Sequence, residues 1–285
     1  MILDGKVVAA SIKEQLKEKI DAAVANGGRR PKLVIISIGD DPASKVYVRN
    51  KMKAAEEVGI IANHYPMGVF DDGSPATEYV QGIIAKLNAD EEIDGIMVQL
   101  PLPSYLDERA IIDAINPAKD VDGLTTTNIG RLRSGQDCLK PCTAAGIIDL
   151  CKYYNIEFSG KDVTIIGRSN IVGKPLADLM MAEGATVTQC HSKTEDLTYH
   201  CMSADIVVSA IGKPKFINFH HIWHGTPVVV DVGINHDENG KLCGDVDFEA
   251  VKDHCDYITP VPGGVGPMTV AELMKNVVIA WKTKK

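Results

Sequence analysis

At 285 residues, 45% apolar and 24% charged, the chain can bury a sizeable core as one large domain or two smaller ones. A formal net charge of -8 argues against a general nucleic-acid or anionic-membrane surface, and no run approaches the roughly 20 apolar residues of a membrane span. Seven cysteines, odd in number and without a Cys-x-x-Cys pair, fit a reduced compartment, and Met1-Ile-Leu-Asp-Gly-Lys6 opens without an apolar signal core, so a cytoplasmic protein is expected.

Helical periodicity from Val7 to Val24 ends in Asn26-Gly-Gly, a C-terminal stop. The apolar run Leu33 to Ile38 reads as a buried strand, and Gly39-Asp-Asp-Pro42 suits a turn into a helix. That helix carries Ser44, Tyr47 and Lys51 on one face, because offsets of three and four stack at about 100° per residue. A phenol and an amine one turn apart can share a proton, and a lysine in a partly desolvated cleft is easier to deprotonate than one in water. Lys51 is therefore a candidate acid/base, although an isolated Tyr-x-x-x-Lys is more often a solvated lysine beside a packed tyrosine.

A strand from Ile60 to Tyr65, a helix from Ser74 to Leu87 and a strand from Asp94 to Gln99 continue an alternation that implies a largely parallel sheet with right-handed crossovers. Two prolines in Val98-Gln99-Leu100-Pro101-Leu-Pro103 stop the ladder and leave Gln99 at a strand's carboxyl end, the edge where open α/β sheets bind ligands. Its amide either donates to a heterocycle, tunes a neighbouring lysine or is an ordinary loop-facing group. After a helix near Leu106 to Ile115, Asp120 and Asp122 stand two apart in an extended segment, so at most one of them points into a cleft.

The domain change is placed in the next helix, Thr143 to Tyr154, with residues 1–145 and 268–285 forming one domain and 146–267 the other. Asp162 to Gly167 is a short β-branched strand; Arg168-Ser169-Asn-Ile-Val-Gly173-Lys-Pro175 follows, then a helix to about Glu183 and a strand from Ala185 to Cys190. This is the unit that binds a dinucleotide with its pyrophosphate on the helix's amino end, although the glycines are six apart and the pattern is not a strict GxGxxG. An NAD-selective site places an acid about 20 residues past the glycine loop. Here His191-Ser192-Lys193-Thr194 and Arg168 offer donors to a phosphate and no carboxylate, which favours NADP; Glu195 and Asp196 suit the start of the next helix.

Strands at Asp205 to Ile211 and Pro227 to Val232 each end in glycine. His220 and His224, one helical turn apart, invite a metal, but no acid or cysteine nearby completes a set and a surface cluster is the preferred reading; no metal is expected. A last strand at Tyr257 to Thr259 enters Pro260-Val-Pro262-Gly263-Gly264-Val-Gly-Pro-Met-Thr269, where backbone can approach a flat ligand, with Pro267 suited to the first turn of a helix to about Trp281.

Taken in order, Ser44-x-x-Tyr47-Val-x-x-Lys51, Val98 to Pro103, Lys119-Asp-Val-Asp122-Gly, Gly167-Arg-Ser-x-x-Val-Gly-x-Pro175 and Pro260 to Thr269 closely resemble methylenetetrahydrofolate dehydrogenase/cyclohydrolase over essentially the whole chain. The resemblance implies an α/β subunit of two domains, an N-terminal folate-binding domain completed by the last helix and a Rossmann-type NADP domain, with a cleft between them and a homodimer as the assembly. It implies that methylenetetrahydrofolate gives a hydride to NADP and that the methenyl product is hydrolysed to 10-formyltetrahydrofolate. By motif position, Lys51 is the essential cyclohydrolase group, Tyr47 packs on and positions the folate, Gln99 tunes Lys51 and Asp122 binds the pterin. Val98, Leu100, Pro262, Gly263, Gly264 and Thr269 border the folate. Gly167, Arg168, Ser169 and Ser192 become cofactor contacts, with Ile234 beside the nicotinamide.

Two rivals share single features. A short-chain dehydrogenase also pairs Tyr-x-x-x-Lys with a Rossmann fold, but its glycine loop precedes the pair, whereas here it follows by more than a hundred residues. An NADP-binding sensor without enzymatic activity accounts for residues 163–234 and gives no reason for Tyr47, Lys51, Gln99 and Asp122.

Overall fold

The computed structural model describes residues 1–69, 75–222 and 227–283. The chain divides into two compact units, Ala10–Cys142 with Val270–Lys285, and Met1–Ala9 with Thr143–Thr269. The first nine residues, expected with the N-terminal domain, pack with the other unit. Ile2 forms a parallel bridge to Ile258, and the N–H groups of Leu3 and Gly5 donate to the carbonyls of Ile258 and Gly263 at 2.8 and 2.9 Å.

In chain order, α1 (Gly5–Ala25) leads to β1 (Lys32–Ile38), α2 (Pro42–Val58), β2 (Ile61–Met67), α3 (Thr77–Ala89), β3 (Gly95–Val98), α4 (Glu108–Asp113) and α5 (Thr126–Arg133). The expected start of α3 at Ser74 lies outside the described residues. β1 pairs in parallel with both neighbours in the order β2-β1-β3. Alternate β1 residues enter two cores, as a period of two requires. Leu33 and Ile35 join Val48 and Ala55 of α2 and Leu273, Val277 and Trp281 of the last helix, whereas Val34 and Ile36 join Val80 and Ile84 of α3 and Ile111 of α4. The sequence reading did not anticipate α5, which is set by Thr125: its side chain accepts from the Asn128 N–H at 3.3 Å as an N-cap.

The second unit continues with α6 (Cys142–Tyr153), β4 (Asp162–Ile166), α7 (Gly173–Ala182), β5 (Thr186–Cys190), α8 (Leu197–Met202), β6 (Ile206–Ser209), α9 (Phe219–Ile222), β7 (Val228–Asp231), the hairpin β8 (Asn235–His236) and β9 (Leu242–Cys243), α10 (Phe248–Val251) and β10 (Tyr257–Ile258). The last helix, α11 (Val265–Lys282), follows. Its five-stranded sheet is parallel in the order β10-β7-β6-β4-β5. The parallel pairing expected from the alternation is thus divided between two sheets. From β4 the chain adds β5 on one side and then crosses back to place β6 on the other, so the carboxyl ends of β4 and β6 flank a topological switch point, where such sheets bind ligands. Asp196 caps α8, accepting from the Tyr199 N–H at 3.1 Å. No helix among the described residues is long and apolar enough to cross a membrane. Nor does any group of His, Cys, Asp and Glu among them have the arrangement to hold a metal ion; His224 lies outside the described residues.

Candidate active site and its relatives

Local sequence puts Lys51 where it is. Asp41 starts α2 by accepting the Ser44 N–H at 2.7 Å, Pro42 fills the first turn, and Gly59 ends the helix at φ 83°. Helical spacing then aligns Lys51 with buried Val48, Ala55 and Val58, so a long cationic side chain is carried onto an apolar face. The residue is 8% exposed, and its Nζ donates to Gln99 Oε1 at 2.9 Å and lies 3.4 Å from Met97 Sδ. The other half of the Gln99 amide donates to the Leu100 carbonyl at 2.6 Å, which turns its oxygen toward the lysine. Of the roles open to Gln99 in sequence, the structure shows a direct bond to the lysine.

Asp122 faces the same point, and the ambiguity of the Asp120/Asp122 pair resolves. Asp120 is occupied in its own turn, accepting from the N–H groups of Gly123, Leu124 and Thr125 at 3.0, 3.2 and 2.8 Å and from Asn128 Nδ2 at 2.9 Å. Asp122 is within electrostatic reach of Lys51 and hydrogen-bonds the Cys142 thiol. Burial lowers the Lys51 pKa, opposed by the charge of Asp122, and burial raises that of Asp122, opposed by Lys51. Both groups are pushed toward their neutral forms, which is what a proton-transfer site at ordinary pH needs. Tyr47 stands one turn before Lys51 at 37% exposure, and burial of its ring raises its pKa.

Val98 and Leu100 flank Gln99 at the strand exit. Cys142 was not singled out in sequence; its sulfur lies 3.3 Å from the Val121 carbonyl and 3.6 Å from Asn276 Nδ2, and burial raises its pKa well above the usual thiol range. Lys119, also unassigned, is structural: its Nζ donates to the carbonyls of Leu87, Asn88 and Asp90 at 3.0, 2.8 and 2.6 Å and closes the end of α3.

In the other unit, the glycine loop follows β4. Gly167 has φ 124°, and its N–H donates to the Cys190 carbonyl at 2.9 Å, so the exits of β4 and β5 lie side by side. A side chain on Gly173 would put its Cβ 2.2 Å from the Gly167 carbonyl oxygen, so the turn closes only with glycine there. Ser169 Oγ accepts from the N–H groups of Val172 and Gly173 at 3.1 and 3.3 Å. Arg168, Ser169 and Ser192 are exposed at these exits, and no carboxylate lies between His191 and Thr194. A close backbone turn at the start of α7 with an exposed guanidinium beside it fits a dinucleotide carrying an extra phosphate. Ile234, beyond β7, is 46% exposed. Pro262 is exposed, Gly263 and Gly264 are buried, and Thr269 Oγ1 bonds Thr143 Oγ1 at 3.2 Å.

Two family models match the chain: the catalytic domain of tetrahydrofolate dehydrogenase/cyclohydrolase over residues 3–122 and its NAD(P)-binding domain over residues 141–285. The chain belongs to the tetrahydrofolate dehydrogenase/cyclohydrolase family. It is 49% identical over 281 residues to the bifunctional protein FolD of Agathobacter rectalis, covering 99% of each chain. The crystal structure of the bifunctional FolD methylenetetrahydrofolate dehydrogenase/cyclohydrolase from Campylobacter jejuni superposes with a TM-score of 0.95 at 43% identity, covering 100% of this chain and 99% of that one. A third member, the Trypanosoma brucei methylenetetrahydrofolate dehydrogenase-cyclohydrolase complexed with NADP cofactor and inhibitor, matches at a TM-score of 0.92 and 36% identity, covering 99% of this chain and 97% of that one. Within the tetrahydrofolate dehydrogenase/cyclohydrolase family, the Lys51 cluster falls in or beside the catalytic-domain match and the glycine loop in the NAD(P)-binding match.

Proposed function

We propose that this protein oxidises 5,10-methylenetetrahydrofolate to 5,10-methenyltetrahydrofolate with NADP and hydrolyses the product to 10-formyltetrahydrofolate. The observation that carries the reading is the buried Lys51 with one oxygen partner, Gln99, and the Asp122 carboxyl in reach, in a chain of this family. A bound NADP would supply the hydride acceptor for the methylene carbon in the first step. Orientation supplies most of that step, and no acid/base residue is required. Gly167, Arg168, Ser169 and Ser192 hold the cofactor, and Ile234 borders its nicotinamide; support comes from the glycine loop and from donors without a competing carboxylate.

The second step needs proton transfer. Water adds to the methenyl carbon and gives one proton to the neutral Lys51 amine; the bond from that carbon to N5 then breaks as the new hydroxyl becomes the formyl carbonyl, the hydroxyl proton passes to N5, and the proton held on Lys51 is released to solvent. Gln99 keeps the amine aimed, and burial favours its uncharged form, with no formal charge on the amide to oppose that. Asp122 binds the pterin as a hydrogen-bonding partner, Tyr47 packs on the folate from an exposed edge of α2, and Val98, Leu100, Pro262, Gly263, Gly264 and Thr269 border it.

The finer proposal for the assembly is a cytoplasmic homodimer with tetrahydrofolate derivatives as its small-molecule partners. β2 supports it as an edge strand with exposed Ile61 and Tyr65, a surface that favours pairing. Light scattering on the purified protein checks the mass. For the activity, protein is mixed with methylenetetrahydrofolate and NADP and the methenyl absorbance is followed. A rise and subsequent decay faster than spontaneous hydrolysis is expected; no rise with NADP overturns the reading.

A further inference from the structure

Two buried carboxylates outside the residues discussed so far close the loops beyond β6 and β7. Asp245 is 0% exposed. Its Oδ2 accepts from the N–H groups of Ile211 and Gly212 at 2.8 and 3.3 Å and from Ser209 Oγ at 3.2 Å. Its Oδ1 accepts from the Lys213 N–H and from Asn235 Nδ2, each at 2.9 Å. Asp231, at the end of β7, accepts from the N–H groups of Gly233 and Asp245 through Oδ1 at 3.0 and 2.9 Å and from Val246 through Oδ2 at 2.9 Å. The packing admits nothing larger: a Cβ on Gly233 would lie 2.1 Å from Asp245 Oδ1, and one on Gly244 would lie 1.8 Å from Asp231 Oδ2.

Two contacts aim this arrangement at the cofactor loops. A Cβ on Gly167 would lie 2.3 Å from the Ala210 carbonyl oxygen, so the glycine turn rests on the β6 exit that Asp245 holds. Ile234 is bracketed as well. The residue before it is tied by its N–H to Asp231 and the residue after it by its side chain to Asp245, while Ile234 itself is 46% exposed. Its backbone is clamped and its side chain is left to meet a ligand.

We propose that Asp231 and Asp245 are positioning residues for the oxidation step, a two-carboxylate latch that fixes Ile234 and the β6 exit in the shape that receives the nicotinamide half of the cofactor. The proposal rests on the assignment of Gly167 and Ile234 to the cofactor site. A carboxylate suits this task because it accepts several donors on both oxygens and donates to none. An asparagine at 245 turns an NH₂ toward N–H donors in either orientation and strands those on one side.

The two activities supply the control, since Lys51, Gln99 and Asp122 belong to the other unit. For Asp245→Asn, the expected result is a fall in dehydrogenase kcat of about 100-fold, the scale of a misplaced reacting group. The Kd for NADP by calorimetry rises, backbone hydrogen exchange at Ile211 to Lys213 accelerates, and cyclohydrolase turnover of added methenyltetrahydrofolate stays within about twofold. Asn235→Ala, which removes one tie beside Ile234, guards against a variant that fails to fold; it should lower dehydrogenase kcat several-fold and enlarge the isotope effect from deuterium on the methylene carbon. Parallel loss of both activities in proportion to the folded fraction overturns the latch, as does an Asn235→Ala protein with unchanged isotope effect and NADP affinity. A wild-type protein that fails to bind NADP refutes the cofactor-site assignment instead, so the two failures are told apart.

Discussion

Two lysines are buried in the same unit, one on the inner face of α2 and one at the turn that ends α3, and they are treated in opposite ways. Lys119 is 4% exposed and meets three backbone carbonyls, as many acceptors as its ammonium has donors. Lys51 is 8% exposed and has one oxygen partner and a thioether. A buried charge is tolerated where its donors are satisfied; where they are not, desolvation pushes the group toward its neutral form. The carboxylates repeat the contrast, with Asp120 saturated by its own turn and Asp122 shifted upward by burial beside Lys51. Burial shifts Lys51 and Asp122 toward their neutral forms, and both have fewer hydrogen-bond partners than Lys119 and Asp120.

Removing each lysine is the strongest way to break the comparison. Lys51→Met should lower cyclohydrolase turnover by about 1,000-fold, within the range for a lost acid/base group, and leave the NADP Kd nearly unchanged by calorimetry. Full turnover after subtraction of spontaneous hydrolysis would remove Lys51 from the mechanism. Lys119→Met should do the reverse. Stranding carbonyls at the end of α3 costs about 3 kcal/mol in urea unfolding, with kcat per folded molecule unaltered. An unchanged unfolding midpoint would show that water replaces the ammonium there.

Much of this was legible in sequence, and the losses have physical causes. Helical period placed Lys51 on one face of its helix with Tyr47, and two prolines placed Gln99 at a strand's carboxyl end, because both are set by local backbone geometry; that the two side chains meet was implied by the family resemblance and not by spacing. What periodicity cannot show is which of two nearby carboxylates is taken up by its own turn; that depended on the N–H groups of Gly123, Leu124 and Thr125 and on Asn128 of the unanticipated α5. The hairpin β8 to β9 escaped notice because its strands are two residues each, too short for alternation to register. Neither Asp231 nor Asp245 stood out in sequence, because their donors are gathered from residues 209 to 246 and only the fold brings them together.

The dinucleotide loops offer a smaller effect. Arg168→Ala with Ser192→Ala should raise the KM for NADP at least tenfold, about 1.4 kcal/mol, with far less change for NAD, since the extra phosphate is what these donors would meet. Equal shifts for both cofactors in steady-state assays would mean that the exposed guanidinium serves something other than that phosphate.

The finest test leaves Lys51 in place and alters only its partner. Gln99→Glu puts a carboxylate where a neutral amide oxygen accepts from Nζ at 2.9 Å, which favours the ammonium and moves the Lys51 pKa back up. The amine is the competent base, so the rising limb of the cyclohydrolase pH profile should move to higher pH, with a plateau close to wild type. Stability carries the same information with a definite sign. Because burial depresses the Lys51 pKa, the native wild type binds fewer protons than the unfolded chain between the lowered and the ordinary lysine value, and its stability rises with pH across that window. Gln99→Glu should flatten that rise as the two values converge, and urea unfolding at a series of pH values measures it. A profile displaced to lower pH, or a steeper rise, would mean that Gln99 does not set the charge of the lysine it touches.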